Sequence, residues 1–119
     1  RAAVAIARER GLDITVVCSA AHGGSTFVLE DALGAGAIAD AALALADPPR
    51  AGDAARFASG AFRAAGGMTA AVRSAYHAQE LVDVGLGEDV AYCARVDVSE
   101  VAPVVRRGED GVLVISRWR

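Results

Sequence analysis

Apolar and polar positions along the chain switch between a helical and a strand period, and the switches mark out the elements. Residues 1–10 set Val4, Ile6 and Ala7 against Arg8, Glu9 and Arg10, which predicts an alanine-rich helix closed by Gly11. Residues 12–18 follow with Ile14, Val16, Val17 and Cys18 as a nearly continuous apolar run, the pattern of a strand covered on both faces. A second helix is expected from Thr26 or Phe27 to about Ala46, with Asp31, Gly34, Ala35, Ile38, Ala42 and Leu45 on one face. Leu29, Leu33 and Leu43 fall on its other side, so it is apolar nearly all round and should be buried between layers. Gly34 and Gly36 each cost roughly 1 kcal/mol of helix propensity relative to Ala, which close packing of this helix on the sheet would offset.

Beyond a loop at 47–52, Asp53 is placed to cap a third helix carrying Phe57, Ala61 and Phe62 and ending at Gly66-Gly67. Thr69 is placed to cap a fourth, running through Val72, Tyr76 and Val82 to Gly85, and Glu88-Asp89 opens a short helix through Cys93. Residues 98–106 and 111–116 alternate loosely around Gly108-Glu109-Asp110-Gly111, a hairpin signal, with Pro103 suited to an edge. Helix, strand, loop, helix is the α/β rhythm. The expected fold is a layered α/β/α domain with a mostly parallel sheet and a C-terminal β-hairpin, one domain over residues 1–119.

The stretch between the expected strand and the long helix carries the candidate chemistry. Gly23, Gly24, Ser25 and Thr26 form a loop whose N–H and hydroxyl groups, at a helix start, suit an anion. Glu30 and Asp31 lie in the first helical turn beside it, where they would repel an anion unless a cation sits between, so the corner reads as phosphate plus magnesium. The competing reading makes the loop a turn with an N-cap and the carboxylates a complement to the helix dipole, about 0.3–1 kcal/mol each. Neighbouring helix residues point roughly 100° apart, so the two acids are not expected to ligate one ion directly. Asp31, on the core face, should be the more buried, with Glu30 towards the loop. Cys18 is expected to be buried at the strand end, and a Cys-x5-Arg phosphatase is excluded because Gly24 stands where its Arg would be. Cys93 reads as core, and His22 and His77 as surface histidines. Gly34-Ala35-Gly36-Ala37-Ile38-Ala39 fits a dinucleotide pattern in the wrong context, inside a helix.

Cys18, the glycine loop and Glu30-Asp31-Ala32-Leu33-Gly34-Ala35-Gly36 together resemble the 2-phosphosulfolactate phosphatase family. Tyr76-His77-Ala78-Gln79-Glu80-Leu81, the segment from Gly85 to Ala94, and Val101-Ala102-Pro103-Val104 are similar to that family's later segments. The resemblance spans most of the chain but only the C-terminal half of a family member, so the chain reads as a fragment whose partner is the missing N-terminal half. It implies a magnesium-dependent (Mg2+) hydrolase of coenzyme M biosynthesis that converts 2-phospho-3-sulfolactate, a small phosphorylated organic acid, to sulfolactate and phosphate. In it Glu30 and Asp31 would serve as catalytic and metal residues, and Gly23, Gly24, Ser25 and Thr26 would hold the substrate. The alternative is a non-catalytic anion-binding or interaction domain that keeps the corner without the chemistry.

Composition narrows the partners further. At 54% hydrophobic and mean hydropathy +0.34 the chain should fold, and its length gives one core. A net charge of −3 with no basic block argues against nucleic acid. No apolar run reaches the length of a membrane span and no signal peptide is recognisable, so a cytoplasmic site is expected. Apolar surface left open in a fragment would favour a homo-oligomer.

Overall fold

The computed structural model describes residues 1–118. It is a mixed helix and strand fold: α1 (Ala2–Glu9), α2 (Leu29–Leu43), α3 (Asp53–Ala64), α4 (Met68–Arg73), α5 (Tyr76–Asp83), α6 (Gly87–Cys93), then strands β1 (Pro103–Arg107) and β2 (Leu113–Arg117). The hairpin is antiparallel, with Pro103 opposite Arg117, Val105 opposite Ile115 and Arg107 opposite Leu113. Pro103 opens β1, where its missing N–H costs no ladder bond.

The expected mostly parallel sheet is not formed among the described residues, whose one sheet is this two-stranded hairpin. The reason lies at 12–20, which leaves α1 and runs without regular structure and without a partner strand. An apolar run of this kind needs a neighbour on either side to make a sheet, and none of the other described segments supplies one. Residues 11–19 are therefore exposed, Val17 most of all. Cys18 is exposed rather than buried for the same reason, and Cys93 lies on the outer side of α6.

The core sits between helices. Leu33 of α2, Val72 of α4, Ala75, Ala78 of α5, and Val90 and Ala94 around α6 form one buried cluster, with Met68 and Leu81 packed against it. α2 also lies against α3, whose Ala61 packs on the same cluster, and Gly36 is the residue that lets the two backbones meet. A Cβ there would collide with the Ala58 carbonyl oxygen and stand 2.8 Å from its carbon and 2.9 Å from Phe62 Cβ. The helix glycine thus serves helix-on-helix contact, not helix-on-sheet contact. Asp40 of α2 accepts from the Ser59 hydroxyl at 3.1 Å and from Arg63 Nε at 2.5 Å, a polar clasp across the same joint.

Two boundaries differ from the sequence pattern. Val28 is extended and precedes α2, so that helix starts at Leu29 and not at Thr26 or Phe27. The expected single helix from Thr69 is two, because Ala75 takes an extended conformation between α4 and α5. Ser74 turns its hydroxyl onto the Ala71 carbonyl at 2.8 Å and Gln79 Nε2 donates to the Arg73 carbonyl at 2.5 Å, which satisfies the end of α4 locally. Neither Asp53 nor Thr69 caps its helix; Gly52 and Gly67 occupy those positions.

Candidate functional site

The start of α2 gathers three chain segments. Its first turn carries Glu30 and Asp31, as the sequence indicates, where the carboxylates complement the positive end of the helix dipole. The two side chains then diverge. Asp31 reaches back to the entry of the glycine loop: its Oδ2 accepts the Ala20 N–H at 2.6 Å, and its own carbonyl lies 3.6 Å from Cys18 Sγ. Glu30 turns away to α5, where its Oε1 lies 2.5 Å from His77 Nδ1. The expected assignment, with Glu30 at the loop and Asp31 towards the core, is thus reversed, and both residues are half-buried.

The loop is a compact turn. Ala21 and Thr26 pair as an isolated bridge, with N–H···O distances of 3.1 and 3.2 Å in the two directions. Between them His22–Gly24 makes one 3-10 turn, closed by Gly24 N–H on the Ala21 carbonyl at 3.1 Å. Ser25 donates its hydroxyl to the His22 carbonyl at 2.8 Å. The N–H groups of Gly24 and Thr26 and the Ser25 hydroxyl are therefore used within the loop, while the Thr26 hydroxyl makes no hydrogen bond among the described residues. Gly23 and Gly24 have φ of 68° and 88°, which glycine adopts freely. Ala20 (φ 58°) and His22 (φ 51°) share that left-handed region at a cost of roughly 1–2 kcal/mol each. Such strain recurs where a chain is held in a functional shape.

Glu30 has a feature the sequence did not signal. Its second oxygen, Oε2, is buried and has no hydrogen-bond partner among the described residues. An unsatisfied buried carboxylate oxygen is costly and calls for a water or an ion. Magnesium characteristically takes one or two protein carboxylates and completes its shell with water and phosphate, and Oε2 has almost no accessible surface for such a shell in this conformation. No group of three His, Cys, Asp or Glu side chains converges on a metal position among the described residues.

Beside this corner, the 12–18 segment and α2 frame an apolar groove of about 860 Å³ lined by Val4, Ile14, Val16, Phe27, Ala35 and Ile38. Among the arginines, Arg56 donates to the Ala51 carbonyl, Arg63 to Asp40 and Arg107 to the Gly111 carbonyl. His77 was legible only through the likeness of its segment to a known family. Forty-seven residues separate it from Glu30, and no local spacing announces the pair.

An acidic helix start, braced by a histidine and latched to a glycine turn, describes a helical domain arranged around a small polar corner. The sequence comparisons place that domain. The family described as 2-phosphosulpholactate phosphatase matches residues 1–108, and the chain belongs to it. A protein of Deinococcus radiodurans named "probable 2-phosphosulfolactate phosphatase" is 36% identical over 110 residues, which is 92% of this chain and 43% of that relative. The chain therefore spans less than half the length of the curated relative it matches. No helix among the described residues is long and apolar enough to cross a membrane.

Proposed function

We propose that this chain supplies one part of the active site of a magnesium-dependent phosphatase that hydrolyses 2-phospho-3-sulfolactate to sulfolactate and phosphate in the cytoplasm. The observation that carries the proposal is the family match over residues 1–108, within which Glu30 and Asp31 form the acidic start of α2 directly after the glycine loop. Glu30 is the carboxylate for the metal, with Asp31 beside it fixing the loop through Ala20. When bound, the ion screens the phosphate charge and lowers the pKa of a bound water. The loop residues Gly23, Gly24, Ser25 and Thr26 receive the ester, beginning with the free Thr26 hydroxyl. Water adds to phosphorus, the bond to the ester oxygen breaks, and that oxygen leaves with a proton as the alcohol of sulfolactate.

The remaining charge balance comes from elsewhere in a family-length protein. A dianionic phosphate needs cationic partners; Arg56, Arg63 and Arg107 are committed to other groups, while Arg8 and Arg50 line the groove beside Asp31 and none of the five belongs to the glycine loop. The rest of such a polypeptide is the partner that completes the site and covers the groove beside 12–18. The isolated chain is then inactive and self-associates through its open apolar surface. A second reading, an anion-binding or interaction domain without catalysis, draws on the internal use of the Gly24 and Thr26 N–H groups and the Ser25 hydroxyl.

The test is phosphate release from 2-phospho-3-sulfolactate with magnesium chloride, using this sequence within a family-length protein and as the 119-residue chain alone. Turnover in the longer protein that Glu30→Gln reduces at least 100-fold, and none in the short chain, is expected. Full activity of Glu30→Gln would remove Glu30 from the site. Robust turnover by the lone chain would show that its site is already complete.

A further inference from the structure

Residues 13–19 carry a row of unused main-chain groups. Both ends of the segment are tied down: the Leu12 N–H donates to the Ala7 carbonyl at 2.8 Å, and the Ala20 N–H donates to Asp31 Oδ2 at 2.6 Å. Between these anchors no main-chain N–H or C=O makes a hydrogen bond among the described residues. The chain runs there without turn or bend, and no φ from 12 to 19 is positive. Leu12, Ile14, Val16 and Cys18 recur at every second residue, and all four line the apolar groove. Val17, 86% exposed, is the one member of 12–18 outside that lining. From α2 the groove takes the small side chains Ala35 and Ala39, which leave width for larger ones.

The groove and the free main chain together restrict what can cover them. A helix laid there would fill the apolar space, but its own N–H and C=O groups are spent within it. Peptides 13–19 would then lose water and gain no partner. A strand offers donors and acceptors along its edge and side chains to one face. Ile14, Thr15, Val16 and Val17 are β-branched and suit such pairing. The described strands β1 and β2 pair with each other, and neither lines the groove. More than half of the curated relative lies outside the region this chain matches, which is ample length for a further strand.

We propose that residues 13–18 are the acceptor for one β-strand of the rest of a family-length polypeptide, which seats alternate apolar side chains in the groove over α2. This rests on the reading that such a polypeptide covers the groove, and not on the chemistry of the corner. Ala20 and Asp31 also line the groove, so the added strand lies beside the entry of the glycine loop.

Amide hydrogen exchange by NMR tests the pairing. The 119-residue chain, diluted until sedimentation reports a monomer, is compared with the same sequence inside a family-length protein. In the short chain amides 13–19 should exchange within about tenfold of unstructured peptide rates, and in the longer protein alternate amides among 13–18 should slow at least about 100-fold. Thr15→Pro and Val16→Pro each delete one donor, and neighbouring N–H groups of a strand point to opposite edges, so one of the two faces the added strand. Both variants should leave the short chain's melting temperature within about 2 °C, and one should lower that of the longer protein by at least about 5 °C. Exchange that is equally fast in both proteins overturns the proposal. Protection to which neither proline variant matters also overturns it, since the cover then makes no main-chain bonds. Protection that grows with concentration in the short chain and is missing from the longer protein makes a second copy the occupant, which overturns it too. Phosphate release by a longer protein whose 13–18 amides stay unprotected sinks the strand alone. Protection without phosphate release sinks the phosphatase reading and keeps the strand.

Discussion

Gly34 and Gly36 lie two residues apart in α2, and replacing each with Ala makes the same chemical change with opposite expected results. In a helix interior the substitution gains about 1 kcal/mol from propensity alone. At Gly34 an added Cβ meets nothing within 4 Å, so that gain should appear nearly whole. At Gly36 the methyl would run into the Ala58 carbonyl and stand 2.9 Å from Phe62 Cβ, both on α3. Backbone cannot step aside as the tip of a long side chain can, so α2 and α3 must separate. Overpacking of this kind costs typically about 1–3 kcal/mol. With a cost near the upper end, the net loss at Gly36 is about 2 kcal/mol, and the two variants should differ by about 3 kcal/mol. For a domain of this size about 4 °C of melting temperature accompanies each kcal/mol. Gly34→Ala is then expected to melt about 4 °C above the parent and Gly36→Ala about 8 °C below it. Urea denaturation and thermal melts by circular dichroism measure both. If Gly36→Ala proves as stable as Gly34→Ala, the close approach of α2 and α3 is wrong.

The strained loop predicts that Ala20→Gly and His22→Gly each raise stability by about 0.5–1 kcal/mol in urea denaturation, since glycine adopts their left-handed φ without a Cβ penalty. A loss at both positions would contradict the loop conformation. Cys18 and Cys93 are both exposed, so two thiols per chain should react with Ellman's reagent without denaturant, and a count of zero would restore the buried reading. At the α2–α3 joint the Arg63 hydrogen bond holds the Asp40 carboxyl below the ordinary aspartate range, opposed by desolvation and assisted by the Ser59 hydroxyl and the Arg63 charge. A depressed folded pKa gives stability that is present above the unfolded value, near about 3.9, and lost as pH falls through the folded one. Asp40→Asn should therefore flatten the acid side of the stability–pH curve below about pH 4. The Arg63 side is open to solvent, which limits the effect to about 1 kcal/mol or less. An unchanged acid slope would show that the clasp does not form in solution.

Helices were legible where a local pattern decides them. The apolar faces gave α1, α2 and α3, the Glu88-Asp89 pair gave α6, and the Gly108–Gly111 turn placed the hairpin, whose first strand begins at Pro103 and not at Val98. What failed depends on partners the pattern does not contain. Ile14, Val16 and Val17 have the composition of a buried strand, yet a strand exists only with a neighbour, and among the described residues they have none. The break at Ala75 was equally hidden. Ser74 and Gln79 satisfy the carbonyls of Ala71 and Arg73 by local side-chain bonds, and such competition with the helix shows only once the side chains are placed.

The candidate site shows the same division. Two acids in a first turn after a glycine loop could be read from the sequence, and helical geometry already implied that they diverge. Where each points was decided by tertiary partners: the Ala20 amide for Asp31 and the His77 imidazole for Glu30. The consequence is a division of labour between adjacent residues of the same chemistry. Asp31 spends Oδ2 on holding the loop entry against α2, so its loss should act first on loop geometry. Glu30 gives Oε1 to His77, so its loss should act first on the contact between α2 and α5. A corner whose two carboxylates helical geometry already set apart is, in the fold, one latch on the loop entry and one contact across to α5.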